Sequence, residues 1–407
     1  MRVLWVCNIS IMQTKKNVYA WCGGWMTATA ELLAERTDIE LVVCYPQSES
    51  ETLLEQKRGK IQYCGFYVVD RNEYNAELEK VFGRINRKYT PDIVHIFGTE
   101  FPHSLPAVRV WKEKAVISIQ GLIGVYAKHY FTGIPAKIVY RQNFGGGSIY
   151  KGMLGLRKRG RYEYKAIQCA RNIIGRTDWD YACIQLIHSN VNYFNCNEIL
   201  RDCFYSGEWE YSQCKKHSIL ISQADYPVKG FHIFLRALKL IKKKYSDVEV
   251  TVAGCPLGIE QKEWDSYANY ILGLLEKWHL RKNVRFIGTQ SDQKMKEQFL
   301  RAHVFVLPSL IENSPNSLGE AMLLGVPCVA SDVGGVGSLM RHGEEGFVYQ
   351  VDAEYMLAYY VEKIFEDPRL AEKFSANAGK HAKITHDRES NLKELLGIYK
   401  KVLGQSI

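Results

Sequence analysis

The chain reads as an α/β protein built from two doubly wound domains, and three observations lead there. Its 407 residues exceed what one hydrophobic core usually organises and suit two domains of about 200 residues each. Short apolar runs alternate with amphipathic stretches along the whole length, the pattern of parallel strands covered by helices on both faces. Hydrophobic residues at 46% and charged residues at 24% are globular values, which exclude a disordered, collagen-like or coiled-coil chain.

In chain order, the strand-like runs of the first half are Val3–Cys7, Leu41–Cys44, Phe66–Val69, Ile93–Phe97, Val116–Ile119 and Asn172–Ile174. A polar and aromatic stretch over Phe204–Lys216 then marks a boundary, and the expected domains are 1–211 and 212–386. The second half continues with Ile219–Ser222, Glu249–Ala253, Val284–Ile287, Val304–Leu307 and Pro327–Ala330. Helical spacing is clearest in Phe231, Phe234, Leu235, Leu238 and Ile241, and again from Leu392 to Leu403. Open α/β sheets bind ligands at the carboxyl ends of their strands, so two such domains place a site in the cleft between them.

The formal net charge of +9 is local. From Lys128 to Lys165 nine Lys and Arg face one acid, Glu163, for a net +8; the rest of the chain sums to +1. These cations alternate with Tyr130, Phe131, Tyr140, Phe144, Tyr150, Met153 and Leu154. That mixture suits an anionic membrane surface or a lipid-phosphate acceptor, because each Lys or Arg near an anionic bilayer contributes about 1 kcal/mol. No nucleic-acid-reading module accompanies it, so nucleic acid is not expected. Within this segment Asn143–Gly155, with Gly145, Gly146 and Gly147, reads as a long flexible loop, and it lacks the G-K-[ST] ending of a phosphate-binding P-loop.

Eleven scattered cysteines without a C-x-x-C pair read as reduced thiols of a cytosolic protein. The first residues are too short an apolar run for a secretory signal, and no stretch approaches 18 apolar residues. The expected location is the cytoplasm, with peripheral attachment to the inner face of the plasma membrane.

The stretch that carries chemistry runs from Val304 to Val348. A buried strand leads into Pro308-Ser309-Leu310-Ile311-Glu312-Asn313-Ser314-Pro315-Asn316-Ser317-Leu318-Gly319-Glu320. Ser314 and Pro315 are suited to be the N-cap and first residue of a helix whose opening amides, near Asn316 and Ser317, face an anion. Glu312 stands in the loop before that helix and Glu320 in its second turn, two carboxylates for sugar hydroxyls beside amides for phosphate.

Glu312 and Glu320 at E-x7-E spacing, followed by Ala321-Met322, Gly325-Val326-Pro327 and Ser331-Asp332-Val333-Gly334-Gly335, resemble the donor-site signature of glycosyltransferase family 4. These are retaining nucleotide-sugar transferases with the GT-B fold, two Rossmann-like domains facing across a cleft. The resemblance implies a nucleotide-sugar donor bound by residues 212–386, an acceptor bound by 1–211, and a terminal helix, within 387–407, returning to the first domain. It assigns Glu320 to the ribose, Glu312 to the sugar hydroxyls and the amides of Asn316, Ser317 and Leu318 to the diphosphate or sugar. Gly23 and Gly24 match the family's glycine loop. Tyr226-Pro227-Val228-Lys229-Gly230 matches the start of its second domain and gives Lys229 the departing diphosphate.

Two positions depart from the family. Gln223 stands where an arginine is usual, and Gln120 where a histidine often lies near the transferred sugar. Arg176 and Arg157 to Arg161 are the candidates for a compensating cation. Glu100, His103 and His129 are positioned to line the acceptor side, and Arg157, Lys158, Arg159 and Arg161 the membrane or acceptor patch. Asp178-Trp179-Asp180 looks like a metal-binding D-x-D, but Thr177 or Asp178 reads better as a helix N-cap, and neither metal nor cofactor is expected.

The resulting expectation is glycosyl transfer to a glycan or polyprenyl-diphosphate-linked acceptor in bacterial surface polysaccharide assembly. Two alternatives remain open at this point: a GT-B nucleotide-sugar epimerase, and a non-catalytic nucleotide-sugar-binding protein.

Overall fold

A computed structural model describes residues 1–12, 23–141, 148–254 and 266–404. The chain divides into two compact units, one of Met1–Val125, Gly155–Arg201 and His386–Ile407, the other of Tyr126–Leu154 and Asp202–Thr385.

The first unit holds β1 (Arg2–Val6), β2 (Glu40–Gln47), β3 (Leu54–Arg58), β4 (Ile61–Tyr67), β5 (Ile93–Phe97), β6 (Ala115–Ser118), β7 (Asn172–Gly175) and β8 (Asn192–Asn195). They form one sheet in the order β3-β4-β2-β1-β5-β6-β7-β8, parallel except for the β3–β4 hairpin. Alternation along β1 shows how the core is made. Leu4 and Val6 join the apolar cluster on one face, Val3 and Trp5 the cluster on the other. The helix Arg388–Val402 covers the second face with Leu395, Ile398 and Tyr399. Its Tyr399 hydroxyl accepts from Trp5 Nε1 at 3.2 Å and lies 2.7 Å from His95 Nδ1, while His95 Nε2 lies 2.6 Å from Ser118 Oγ. Burial holds His95 down at about 3, so it is neutral, with one ring nitrogen donating and the other accepting between Tyr399 and Ser118.

The second unit holds β9 (Ser218–Ile221), β10 (Glu249–Ala253), β11 (Val284–Gly288), β12 (Val304–Leu307), β13 (Cys328–Asp332) and β14 (Phe347–Gln350), all parallel, in the order β11-β10-β9-β12-β13-β14. The helix Phe231–Lys244 buries Phe231, Phe234, Leu235, Leu238 and Ile241, the stripe set by its 3.6-residue spacing.

Three differences from the sequence reading have physical reasons. β3 and β8 are polar, LEQKR and NYFN, because edge strands carry charge and amide groups that discourage further pairing. The stretch expected as a loop over Asn143–Gly155 is helical from Ile149, inside the helix Ile149–Cys169; Ser148 Oγ accepts from Lys151 N at 3.2 Å and opens it. Phe144 and Gly145–Gly147 lie outside the described residues. Tyr126–Leu154, expected in the first domain, packs with the second unit, where Thr132 O accepts from His232 Nε2 at 2.8 Å and Arg236 bonds Gly133 O. Gly133 has φ +73°, and a Cβ there would meet Ile233 Cδ1 at 2.4 Å.

Candidate functional site

In the second unit three loops at the carboxyl ends of β9, β12 and β13 are locked together by glycines. Gly230 follows Lys229 with φ +66°, and a Cβ there would stand 1.8 Å from Pro308 O. Gly334 has φ +52°, and its Cβ would stand 1.8 Å from Glu312 O. Only glycine permits either approach. Backbone bonds complete the clamp: Leu310 N donates to Val228 O at 2.7 Å and Gly335 N to Glu312 O at 3.1 Å. Residues far apart in sequence thus hold one geometry.

Inside it Lys229 Nζ donates to Glu312 Oε1 at 2.7 Å, and Ser309 Oγ donates to the same oxygen at 2.7 Å. Glu312 and Ser309 are buried and the lysine is nearly so. Burial alone would lower the Lys229 ammonium. The Glu312 carboxylate, with Tyr226 and Asp225 beside it, reverses the sign and holds it above the usual lysine range. Lys229 is therefore a fixed cation, and its charge already has a carboxylate partner.

The helix Asn316–Leu323 starts one residue later than expected, with Pro315 at its N-cap and Ser314 outside. The amides of Asn316 and Ser317 open the helix and have no carbonyl one turn earlier to bond. The Leu318 amide, expected to face a ligand, instead donates to Pro315 O at 3.0 Å. Asn316 Oδ1 is buried without a partner. Glu320 is buried on the second turn, and Gln223 is half-buried just past β9.

The first unit has a different polar cluster at the carboxyl ends of β1 and β5. Asn8 Nδ2 donates to Glu100 Oε2 at 2.9 Å, above Gly98, whose φ is +85° and whose Cβ would lie 1.9 Å from that oxygen. Burial pushes the Glu100 carboxyl up to about 7, against the bonds and nearby arginines that favour its charge. Glu163, the one acid of the basic segment, is buried. It accepts from Ile123 N at 3.0 Å, Gly124 N at 2.8 Å and Thr99 Oγ1 at 3.2 Å, and burial raises it to about 8. It caps the helix Ile123–His129 rather than balancing surface charge. His103 is buried, with burial and Arg71 lowering it to about 4. His129 groups with the second unit, half-buried, and burial and Lys128 lower it.

Several other expected residues have structural partners. Gly23 packs on Ile9, Ile11 and Met26; a Cβ on Gly24 would meet Arg201 Cδ at 2.4 Å. The space left by Gly24 is taken by that arginine's stem, a residue sequence reasoning passed over. Arg176 pairs with Glu198 and donates to Ile119 O at 2.7 Å and Gln120 O at 3.4 Å, so it is not a spare cation; Gln120 Nε2 is buried without a partner. Lys158 pairs with Glu73. Arg159 stacks 5.0 Å over Phe101 and donates to Glu100 O at 3.3 Å. Arg157 and Arg161 are exposed. Asp178 opens a helix, with Thr177 and Asp180 forming a reciprocal capping box. No helix among the described residues is long and apolar enough to cross a membrane.

This architecture is that of the GT-B glycosyltransferases. A sucrose-phosphate synthase from Thermosynechococcus elongatus superposes with TM-score 0.74 at 14% identity, over 100% of both chains. HepE of Anabaena, solved with UDP-glucose, gives TM-score 0.69 at 15% identity over 98% of this chain and 100% of its own. Residues 212–381 match the family Glycosyl transferases group 1, a span that includes the loops just described. A phosphatidyl-myo-inositol mannosyltransferase of Mycobacterium leprae is 26% identical over 193 residues, 47% of this chain and 48% of its own. The chain spans about half the length of the curated relatives it matches.

Proposed function

We propose that the protein is a retaining glycosyltransferase that moves a sugar from a nucleoside-diphosphate donor to a lipid-linked glycan. The Lys229–Glu312 pair, fixed by two obligatory glycines beside open helix amides, is the observation that carries this reading. Lys229 and the Asn316 and Ser317 amides offer positive charge where a diphosphate leaves, and Glu312 and Glu320 offer carboxylates to sugar and ribose hydroxyls. As the anomeric carbon–oxygen bond to the diphosphate breaks, an acceptor oxygen attacks from the same face. Its proton passes to the departing phosphate oxygen, so the reaction needs neither a metal nor an enzymic nucleophile. The UDP-glucose held by HepE supports a nucleotide-sugar donor.

The acceptor reading rests on the helix Ile149–Cys169. It exposes Lys151, Leu154, Arg157, Lys158, Arg161, Tyr164 and Lys165 while burying Met153, Gly160 and Glu163. Such a face suits the anionic surface and diphosphate of a polyprenyl carrier, and supports a role in surface-polysaccharide assembly on the cytoplasmic side of the membrane. One curated relative is named for a phosphatidyl-inositol acceptor.

The test is release of nucleoside diphosphate from a panel of UDP-, GDP-, ADP- and TDP-sugars, with wild-type protein and Glu312→Ala. Turnover of one donor that collapses in the variant is expected. No turnover with any donor, or turnover unchanged in the variant, would remove the enzyme reading.

A further inference from the structure

The two oxygens of Glu312 are used unequally. Oε1 accepts both from Lys229 Nζ and from Ser309 Oγ, each at 2.7 Å, while Oε2 bonds no described residue. A lysine ammonium facing a lone carboxylate is free to approach either oxygen or sit between them. The hydroxyl of Ser309 breaks that symmetry by adding a second donor to one oxygen, and hydrogen bonds to a carboxylate are short, directional and comparatively strong.

Ser309 can do this because its own backbone is fixed. It is fully buried, its carbonyl accepts from Ser331 Oγ, and Ser331 sits on β13, paired with β12 immediately before the loop. The Glu312 backbone is held independently through Gly334 and Gly335. Removing the Ser309 hydroxyl therefore changes the carboxylate's orientation and leaves the surrounding loops in place.

We infer that Ser309 is a positioning residue: it holds Oε1 of Glu312 on Lys229 and thereby keeps Oε2 turned to the hydroxyls of the donor sugar. This rests on the reading of Glu312 as the sugar ligand, and it adds the residue that gives that ligand its direction. The ligand would be the sugar portion of the donor, leaving the nucleotide portion indifferent to Ser309.

Two measurements on the full chain test it. The first is a crystal structure of ligand-free Ser309→Ala. Rotation of the Glu312 carboxylate so that Oε2 also reaches Lys229 Nζ is expected; a carboxylate still bonded through Oε1 alone would overturn the inference whatever the donor. The second is calorimetric binding of the nucleotide-sugar the wild type hydrolyses, UDP-glucose being tried first, in wild-type, Ser309→Ala, Glu312→Gln and double-variant proteins. Ser309→Ala should weaken that binding about 10- to 100-fold, leave the free nucleoside diphosphate unchanged, and add nothing in the Glu312→Gln background. An equal loss in both backgrounds, or an equal loss for the free diphosphate, would overturn it. Absence of hydrolysis with every donor counts instead against the glycosyltransferase reading, and the crystallographic arm still decides the role of Ser309.

Discussion

Buried carboxylates occur at strand ends in both units, and their neighbours give them opposite chemistry. In the second unit Glu312 meets a lysine at 2.7 Å and holds that ammonium above the usual lysine range. In the first unit Glu100 and Glu163 meet amides, a hydroxyl and one another's field, and burial raises them to about 7 and about 8. One arrangement pairs a carboxylate with a fixed cation. The other stores carboxyl groups that gain or lose a proton near neutrality. Residue type alone distinguishes nothing here; the partner decides.

The largest effect should come from breaking the charged pair. Lys229→Met leaves Glu312 buried without its cation, which typically costs about 3–5 kcal/mol in a buried pair. Donor hydrolysis should also fall by at least about 100-fold, the scale of losing one donor to a developing oxyanion. Denaturant unfolding and nucleotide release measure the two losses, and a variant as stable and as active as wild type would show the pair to be incidental.

Next comes the clamp beneath it. Gly334→Ala forces a Cβ toward Glu312 O at a left-handed φ and should cost about 1–3 kcal/mol with a parallel drop in turnover. Gly155→Ala, in a helix with open space around it, should instead gain about 0.5–1 kcal/mol. Thermal unfolding of the two variants compares a glycine required by the site with one that is not.

The first-unit carboxyls predict a pH effect of definite sign. A carboxyl whose folded pKa is raised binds its proton more tightly in the native state, so it favours folding at low pH. That advantage is lost as pH rises from the unfolded value near 4.5 through about 7 for Glu100 and about 8 for Glu163. Denaturation midpoints should therefore fall between pH 5 and pH 8.5, and Glu100→Gln should flatten the lower part of that slope. A variant that follows the wild-type slope would show Glu100 to be ionised throughout.

The smallest effect concerns the basic helix. Arg157 and Arg161 are exposed, whereas Lys158 has Glu73 and Arg159 has Phe101 and a carbonyl. Arg157→Gln with Arg161→Gln should weaken sedimentation with phosphatidylglycerol vesicles by about 2 kcal/mol, roughly 30-fold in partitioning. Lys158→Gln with Arg159→Gln should do less. Equal losses would mean that the partners of the second pair give way on the membrane.

Much of this was legible in the sequence, for identifiable reasons. The apolar runs of β1, β5 and β12 stand out because buried parallel strands leave little room for polar residues, and the Glu312–Glu320 run stands out because one helix start must carry both amides and acids. What escaped depends on contacts between distant residues. Lys229 and Glu312 are 83 residues apart, and no local pattern pairs them. Ser309 looks like an ordinary loop serine until its hydroxyl is seen on Oε1. Glu163 enters the sequence only as the one acid among nine cations, yet it points inward to cap a helix some 40 residues earlier in the chain. The edge strands β3 and β8 were missed because their polarity, which protects an edge, erases the apolar signal.

The central claim is that Lys229 serves the diphosphate and Glu312 the sugar. Calorimetric titration of nucleoside diphosphate and of the matching nucleotide-sugar into wild-type, Lys229→Met and Glu312→Gln proteins separates them most directly. Lys229→Met should weaken both ligands, and Glu312→Gln should weaken only the nucleotide-sugar. Equal weakening of both ligands by Glu312→Gln, or full affinity in Lys229→Met, would contradict it.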